Sequence, residues 1–144
     1  MKTMWRTAAM MAMFGAGFLV HGLLPEDEVA HAQGERIFEL RTYTAPEGKL
    51  EALHARFKDD TLRLFKKHGM ENVAYFRPAD APLSQNTMMY LLAFPSREAA
   101  KKSWADFQAD PEWQKINADT QKDGRIVSKL ESVFLEPTDY SPLK

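Results

Sequence analysis

Between Arg36 and Thr44 the side chains alternate, with Phe38, Leu40 and Thr42 on one parity and Ile37, Glu39, Arg41 and Tyr43 on the other. A period of two belongs to an extended chain, so this stretch predicts a β-strand. The period then changes. Leu50, Leu53, Phe57, Leu64 and Phe65 recur at helical spacing behind Pro46, which suits a first helical turn, with Glu47 and Glu51 near the positive end of the helix. Lys66, Lys67 and His68 followed by Gly69 close that helix, placing cations at the negative end and a glycine free to take a left-handed cap. Val73 to Arg77 predicts a second strand ended by Pro78, and Ala79 to Asn86 a hairpin loop. Thr87 to Phe94 is apolar nearly throughout and predicts a central strand covered on both faces. Ser96 can cap a helix over Arg97 to Gln108, with Ala100, Trp104 and Phe107 on its inner side. Asp110-Pro111 restarts a short helix carrying Trp113 and Ile116, and Asp123-Gly124 breaks it. Lys129 to Glu136 predicts the last strand, and Pro137 to Lys144 a tail.

The resulting order, β-α-β-β-α-β with an extra short helix, is that of the ferredoxin-like α+β sandwich, a four-stranded antiparallel sheet with helices on one face. Phe38 and Leu40 are expected to face the helices. Glu39, Arg41 and Tyr43, joined by Ile37, Val73 and Tyr75, are then expected on the open face. An open face of that kind leaves an apolar patch in water, and a second copy meeting it in a closed two-fold dimer would cover it.

The residues that carry this pattern resemble a known family. The strand "FELRTYT", the turn "APEGKLEAL", the strand "VAYFRP" and the later "DPEWQKI" are similar to the NIPSNAP domain, a member of the dimeric α/β-barrel superfamily, from Glu35 to about Glu136. "ELRTYT" directly before a Pro-x-Gly-x-Leu helix start is the more specific match, whereas "DPEW" is shared across the superfamily. The resemblance implies a ferredoxin-like protomer whose sheet meets a partner's sheet to close a dimeric α/β barrel. It implies no agreed catalytic activity.

The first 32 residues read differently from the rest. Lys2 and Arg6 precede an apolar run, Ala8 to Val20, which is short for a bilayer span, and Ala30-His31-Ala32 follows the break at Pro25-Glu26-Asp27-Glu28. That order predicts a signal peptide over residues 1–32, cleaved after Ala32 on export to the periplasm or beyond, with an uncleaved anchor as the alternative. The domain then spans 33–136 and the tail 137–144. The chain has no cysteine, so an exported domain would rely on its core without cross-links. Removing Lys2 and Arg6 from 19 basic residues, and Glu26, Asp27 and Glu28 from 20 acidic ones, leaves 17 of each. A balanced chain lacks the basic surplus of a nucleic-acid binder, and no membrane contact is expected once the signal is removed.

Candidate chemistry is sparse. Glu39, Arg41 and Tyr43 repeat at roughly 6.5–7 Å along one strand face, close enough for carboxylate and guanidinium to meet. With Tyr75 and Arg77 they read as a polar cluster across a dimer seam, which fixes register more than it stabilises. The competing reading is a site for an anionic or carbonyl-bearing ligand, with Arg41 as clamp and Tyr43 as donor. His54 flanks the apolar stripe between Leu50 and Phe57, so it faces the helix–sheet gap, either bonded to a backbone carbonyl or as the polar group of a pocket walled by Phe57, Trp104 and Trp113. His68 reads as a cation at the helix end. The histidines lack metal-ligand spacing, and no metal or cofactor is expected. Hydrolase and nucleotide-binding motifs are missing. Two functions remain: a homodimeric module of undefined activity binding a small apolar ligand or a protein, or a cofactor-independent oxygenase or isomerase with His54 as base.

Overall fold

The computed structural model describes residues 36–144. The expected signal peptide and its cleavage site lie outside those residues. Four strands, β1 (Ile37–Thr44), β2 (Glu71–Phe76), β3 (Thr87–Phe94) and β4 (Lys129–Leu135), form one sheet in the order β2-β3-β1-β4. Every neighbouring pair is antiparallel, which is the ferredoxin-like arrangement. Helix α1 (residues 50–67) follows β1, and helices α2 (Arg97–Ala109) and α3 (Pro111–Asp119) follow β3, all packed on one face. Gly48 takes a φ of +70° in the turn after Pro46, so α1 begins at Leu50 rather than at the proline.

Helix α1 is not uniform. It is α-helical over Leu50–Arg56, π-helical over Phe57–Thr61 and α-helical again over Leu62–Lys67. In the wide segment the Leu62 N–H donates to the Phe57 carbonyl, and Thr61 Oγ1 donates to the Arg56 carbonyl at 3.2 Å. Where the α-helix resumes, Asn72 Nδ2 on β2 donates to the Leu62 carbonyl at 3.0 Å. The carbonyls around the irregularity are thus supplied with donors from Thr61 and Asn72, which lets it persist inside a packed layer. Asn72 sits where β2 departs from regular register with β3, between its pairing with Leu92 and that of Ala74 with Leu91.

The core is aromatic and centres on Tyr90, whose side chain is fully buried in the middle of β3. Its ring stacks on Tyr75 at 5.6 Å and meets Phe57 at 5.1 Å, Tyr43 at 5.3 Å and Phe65 at 5.8 Å. From Phe65 the contacts pass to Phe107 at 5.0 Å and then to Trp113 at 4.4 Å, linking α1, α2 and α3. Burial pushes the Tyr90 and Tyr75 phenols above the ordinary tyrosine value, so both are proton donors at neutral pH. Tyr90 donates to the Tyr43 hydroxyl at 2.9 Å.

The two faces of β1 are the reverse of the sequence expectation. Glu39, Arg41 and Tyr43 pair in register with Leu92, Tyr90 and Met88, the inward residues of β3. Trp104 of α2 donates to Glu39, and Phe57 of α1 packs edge-on to Tyr43, so this parity faces the helices. Tyr75 stacks on Tyr90 within the same layer, and Arg77 reaches Glu51 of α1 at 3.1 Å. The five residues are therefore no polar cluster on a dimer face. The outward parity is Phe38, Leu40 and Thr42, opposite Ala93, Leu91 and Met89 on β3 and Leu135, Val133 and Glu131 on β4. A period of two separates the parities without saying which turns inward. Here the mixed parity goes in because α2 and β4 supply donors for its carboxylate, and the apolar parity is left outside.

Part of that outer face is covered by the chain itself. Leu135, Pro137 and Leu143 frame a cleft with Phe38, and Arg36 Nη1 donates to the Lys144 carbonyl at 2.8 Å. The tail accordingly belongs to the folded unit. Leu91 and Leu40 remain only half-buried, and Val133 stays 54% exposed.

The α2–α3 junction rests on one carboxylate. Asp110 caps α3 by accepting from the Glu112 N–H at 2.8 Å, and its other oxygen takes Lys67 Nζ and His68 Nε2, each at 2.7 Å. His68 therefore serves a side-chain partner as well as its own helix end. The bonds from Lys67 and His68 hold the Asp110 carboxyl well below the usual carboxylate range. A depressed native value means that the contribution to stability is full above the ordinary carboxylate pKa and fades as pH falls towards the native one. Asp110→Asn should lower Tm by a few degrees at pH 7. The gap to wild type should narrow in thermal melts taken progressively below about pH 4.

Candidate functional site

Two sets of candidate side chains emerge on the helix side of the sheet, at opposite edges. At the β2 edge, His54 and Phe57 of α1 line a cavity of about 300 Å³ with Tyr75 and Phe76 of β2 and Met88 of β3. Helical spacing places His54 beside the apolar stripe, and the π-segment supplies Phe57 and one further wall residue, Lys58. Arg77 stands at the same cavity while paired with Glu51. The His54 Nε2 atom is buried and has no hydrogen-bond partner among the described residues. It is thus not the carbonyl-bonded histidine of the structural expectation. The hydroxyl of Tyr75, the tyrosine on the wall, is already committed to Asn72 Oδ1.

At the β4 edge, Glu39 lies 3% exposed, and each of its oxygens has a donor. Trp104 Nε1 gives to Oε2 at 2.6 Å, and Ser132 Oγ of β4 gives to Oε1 at 2.6 Å. Arg41 Nε stands 3.5 Å from Oε1, an ion-pair distance without a hydrogen bond, and that nitrogen is buried and unpartnered among the described residues. The Arg41 guanidinium lies over the Trp104 ring, 4.0 Å from its centroid. The expected Glu39–Arg41 pair exists, but it belongs to the helix–sheet layer. Tyr43 is not a ligand donor there, because its side chain is buried in the core beside Tyr90.

The pocket expected from His54, Phe57, Trp104 and Trp113 therefore divides. His54 and Phe57 share the first cavity, Trp104 stands with Glu39 and Arg41, and Trp113 lines neither, packing on Phe107 and facing Arg56 at 5.1 Å. Linear spacing could not make that division, since it depends on which end of the sheet each helix crosses. Sequence reading also missed Arg56, buried on the apolar side of α1 three residues after Leu53. Its Nη1 donates to Asn117 Oδ1 at 3.1 Å, and burial lowers its guanidinium from the usual arginine value. The i+3 spacing from Leu53 was the available signal. Among the described residues no group of three or more histidine and acidic side chains is gathered as a metal site requires. Nor is any helix there long and apolar enough to cross a membrane.

Comparison with known proteins follows the fold. The sequence profile of the NIPSNAP family matches residues 38–142. A NIPSNAP family protein of unknown function from Agrobacterium tumefaciens strain C58 superposes with a TM-score of 0.67 at 26% identity, over 76% of this chain and 95% of that one. A NIPSNAP-like domain protein from Burkholderia xenovorans superposes at 0.66 with 20% identity, over 75% of this chain and 90% of that one, a likeness of fold. No protein of curated function matches.

Trp104→Phe keeps the ring but removes the donor from the buried Glu39 carboxylate. Urea unfolding should show a loss of about 1–3 kcal/mol, the usual cost of leaving a buried acceptor one partner short.

Proposed function

Because the chain belongs to the NIPSNAP family, we propose that it works as an exported homodimeric module that holds a small, largely apolar ligand in the His54 cavity. The observation that carries this reading is a largely aromatic and aliphatic cavity, with Lys58 and Arg77 also on its wall, lined by His54, whose buried Nε2 has no hydrogen-bond partner among the described residues. A buried polar atom left unpaired costs about 1–3 kcal/mol. A ligand with an apolar body against Phe57 and Met88 fills the space, and a turn of the His54 ring towards its one hydrogen-bonding group removes the penalty. Its size follows from the volume of about 300 Å³, at the lower end of small-molecule pockets.

The dimer rests on the outer sheet face. Antiparallel sheets that face water ordinarily turn a polar parity outward, whereas Leu40, Leu91 and Val133 here meet across adjacent strands with little polar relief. The tail covers the Phe38 end of that face and leaves those three side chains half-buried or exposed. A second copy applying the same surface closes the patch in an isologous contact. The export reading rests on the order of basic, apolar and Ala-x-Ala segments before Gln33.

The enzyme alternative, a cofactor-independent oxygenase or isomerase, gives the same imidazole the role of base. It is favoured only if the retained compound is converted by the wild-type protein and not by His54→Ala.

Native mass spectrometry of protein recovered from the periplasm of an expressing bacterium tests the proposal in one measurement. The expected species is a dimer of chains beginning at Gln33 with a retained small molecule. His54→Phe, which fills the cavity, should keep the dimer and lose the added mass, and Val133→Asp should give monomers. A ligand-free monomer that retains its first 32 residues would overturn the reading.

A further inference from the structure

The Glu39–Arg41–Trp104 group opens onto a second cavity, at the β4 edge and away from His54. It measures about 620 Å³ and lies between α2 and the outer half of the sheet, with Arg97 and Lys101 of α2 at its mouth and Phe134 of β4 on its wall. Arg41 is the group that needs explaining. Its side chain is only 13% exposed, and Glu39, its one ionic partner among the described residues, gives its short contacts to the neutral donors Trp104 and Ser132. A guanidinium carries five N–H donors in a planar fork. Among the described residues, the buried Arg41 Nε makes no hydrogen bond. Trp104 and Glu39 hold the fork in place, so its orientation precedes any ligand.

The charges around this space favour one kind of guest. Arg41, Arg97 and Lys101 face Glu39 and Glu98, leaving a formal surplus of one positive charge. Arg97 and Lys101 are exposed and form no ion pair among the described residues, and the Arg97 guanidinium rests 4.4 Å from the Phe134 ring centroid. A single carboxylate balances that surplus, whereas a phosphate dianion would exceed it and would meet Glu39 and Glu98. The rings of Trp104 and Phe134 provide an apolar wall for the rest of the molecule.

We infer that this second cavity binds a monoanionic organic acid with an apolar body, its carboxylate held by the Arg41 fork and drawn in by Arg97 and Lys101. The inference is independent of the His54 cavity, which lies at the other edge of the sheet and takes a guest of different polarity.

The test uses the ¹⁵N-labelled protein and follows the Trp104 indole N–H resonance, assigned by its loss in Trp104→Phe, during titration with sodium decanoate, 1-decanol and inorganic phosphate. Decanoate should shift the resonance saturably, while decanol and phosphate leave it in place. The double variant Arg97→Ala, Lys101→Ala changes two exposed side chains and should weaken decanoate at least tenfold. Arg41→Lys, which keeps the charge but not the fork, should weaken it by a similar factor. Equal shifts by decanoate and decanol would reduce the cavity to a greasy cleft and overturn the inference. So would undiminished decanoate binding in the double variant, or no saturable shift up to the solubility limit of decanoate.

Discussion

A carboxylate buried in a small domain must be satisfied or it unfolds the layer around it, and Glu39 is that constraint here. Its partners come from three different elements: Arg41 beside it on β1, Trp104 on α2 and Ser132 on β4. β4 is an edge strand that is exposed along most of its length, and Phe134 is its one residue packed against the core. The short Ser132 bond gives that strand a directional contact that apolar packing alone would not. Through Trp104 the same carboxylate sets where α2 crosses the sheet, and Trp104 in turn reaches Phe65 at 5.4 Å and Phe107 at 5.7 Å. The polar group thus fixes the position of the aromatic core, which supplies most of the burial.

The same constraint separates what the sequence made legible from what it did not. Element order, the central place of β3 and the Asp110-Pro111 restart were readable, because each depends on local periodicity or a cap. The facing of β1 was not. Glu39 and Arg41 looked like surface residues because an isolated strand offers them nothing better than water. They turn inward only because Trp104, 65 positions away, and Ser132, 93 positions away, supply donors. The π-segment was likewise invisible, since Leu50, Leu53, Phe57, Leu64 and Phe65 keep an ordinary helical rhythm through it. Thr61 and Asn72, which supply its carbonyls, are common residues with no spacing to mark them.

His54 was visible as a residue out of place and Arg41 as a charge on a strand, yet the grouping of each with its neighbours was a tertiary matter. Each ends with one buried nitrogen that makes no hydrogen bond among the described residues. Domains of this size leave few such atoms unpaired, and here both residues line cavities. The remaining one, Arg56 Nε, lies beneath α1 where Nη1 and the Trp113 ring already hold the guanidinium. Unpaired polarity next to space is a stronger indication of ligand chemistry than residue type alone, because the cost of leaving it empty falls on folding stability.

The reversal of β1 also changes how a dimer and a ligand would communicate. Had the Glu39–Arg41 pair lain on the outer face, a second copy would have buried it and excluded a small molecule. With the pair inside, β1 presents Leu40 outward between Glu39 and Arg41, so the strand that holds the carboxylate cluster is also the strand a partner copy would press upon. Successive side chains of a strand share one backbone, and a shift that repacks Leu40 must move its two neighbours with it. An acid seated on Arg41 and a partner seated on Leu40 would therefore act on the same few peptide units from opposite sides, without any contact between them.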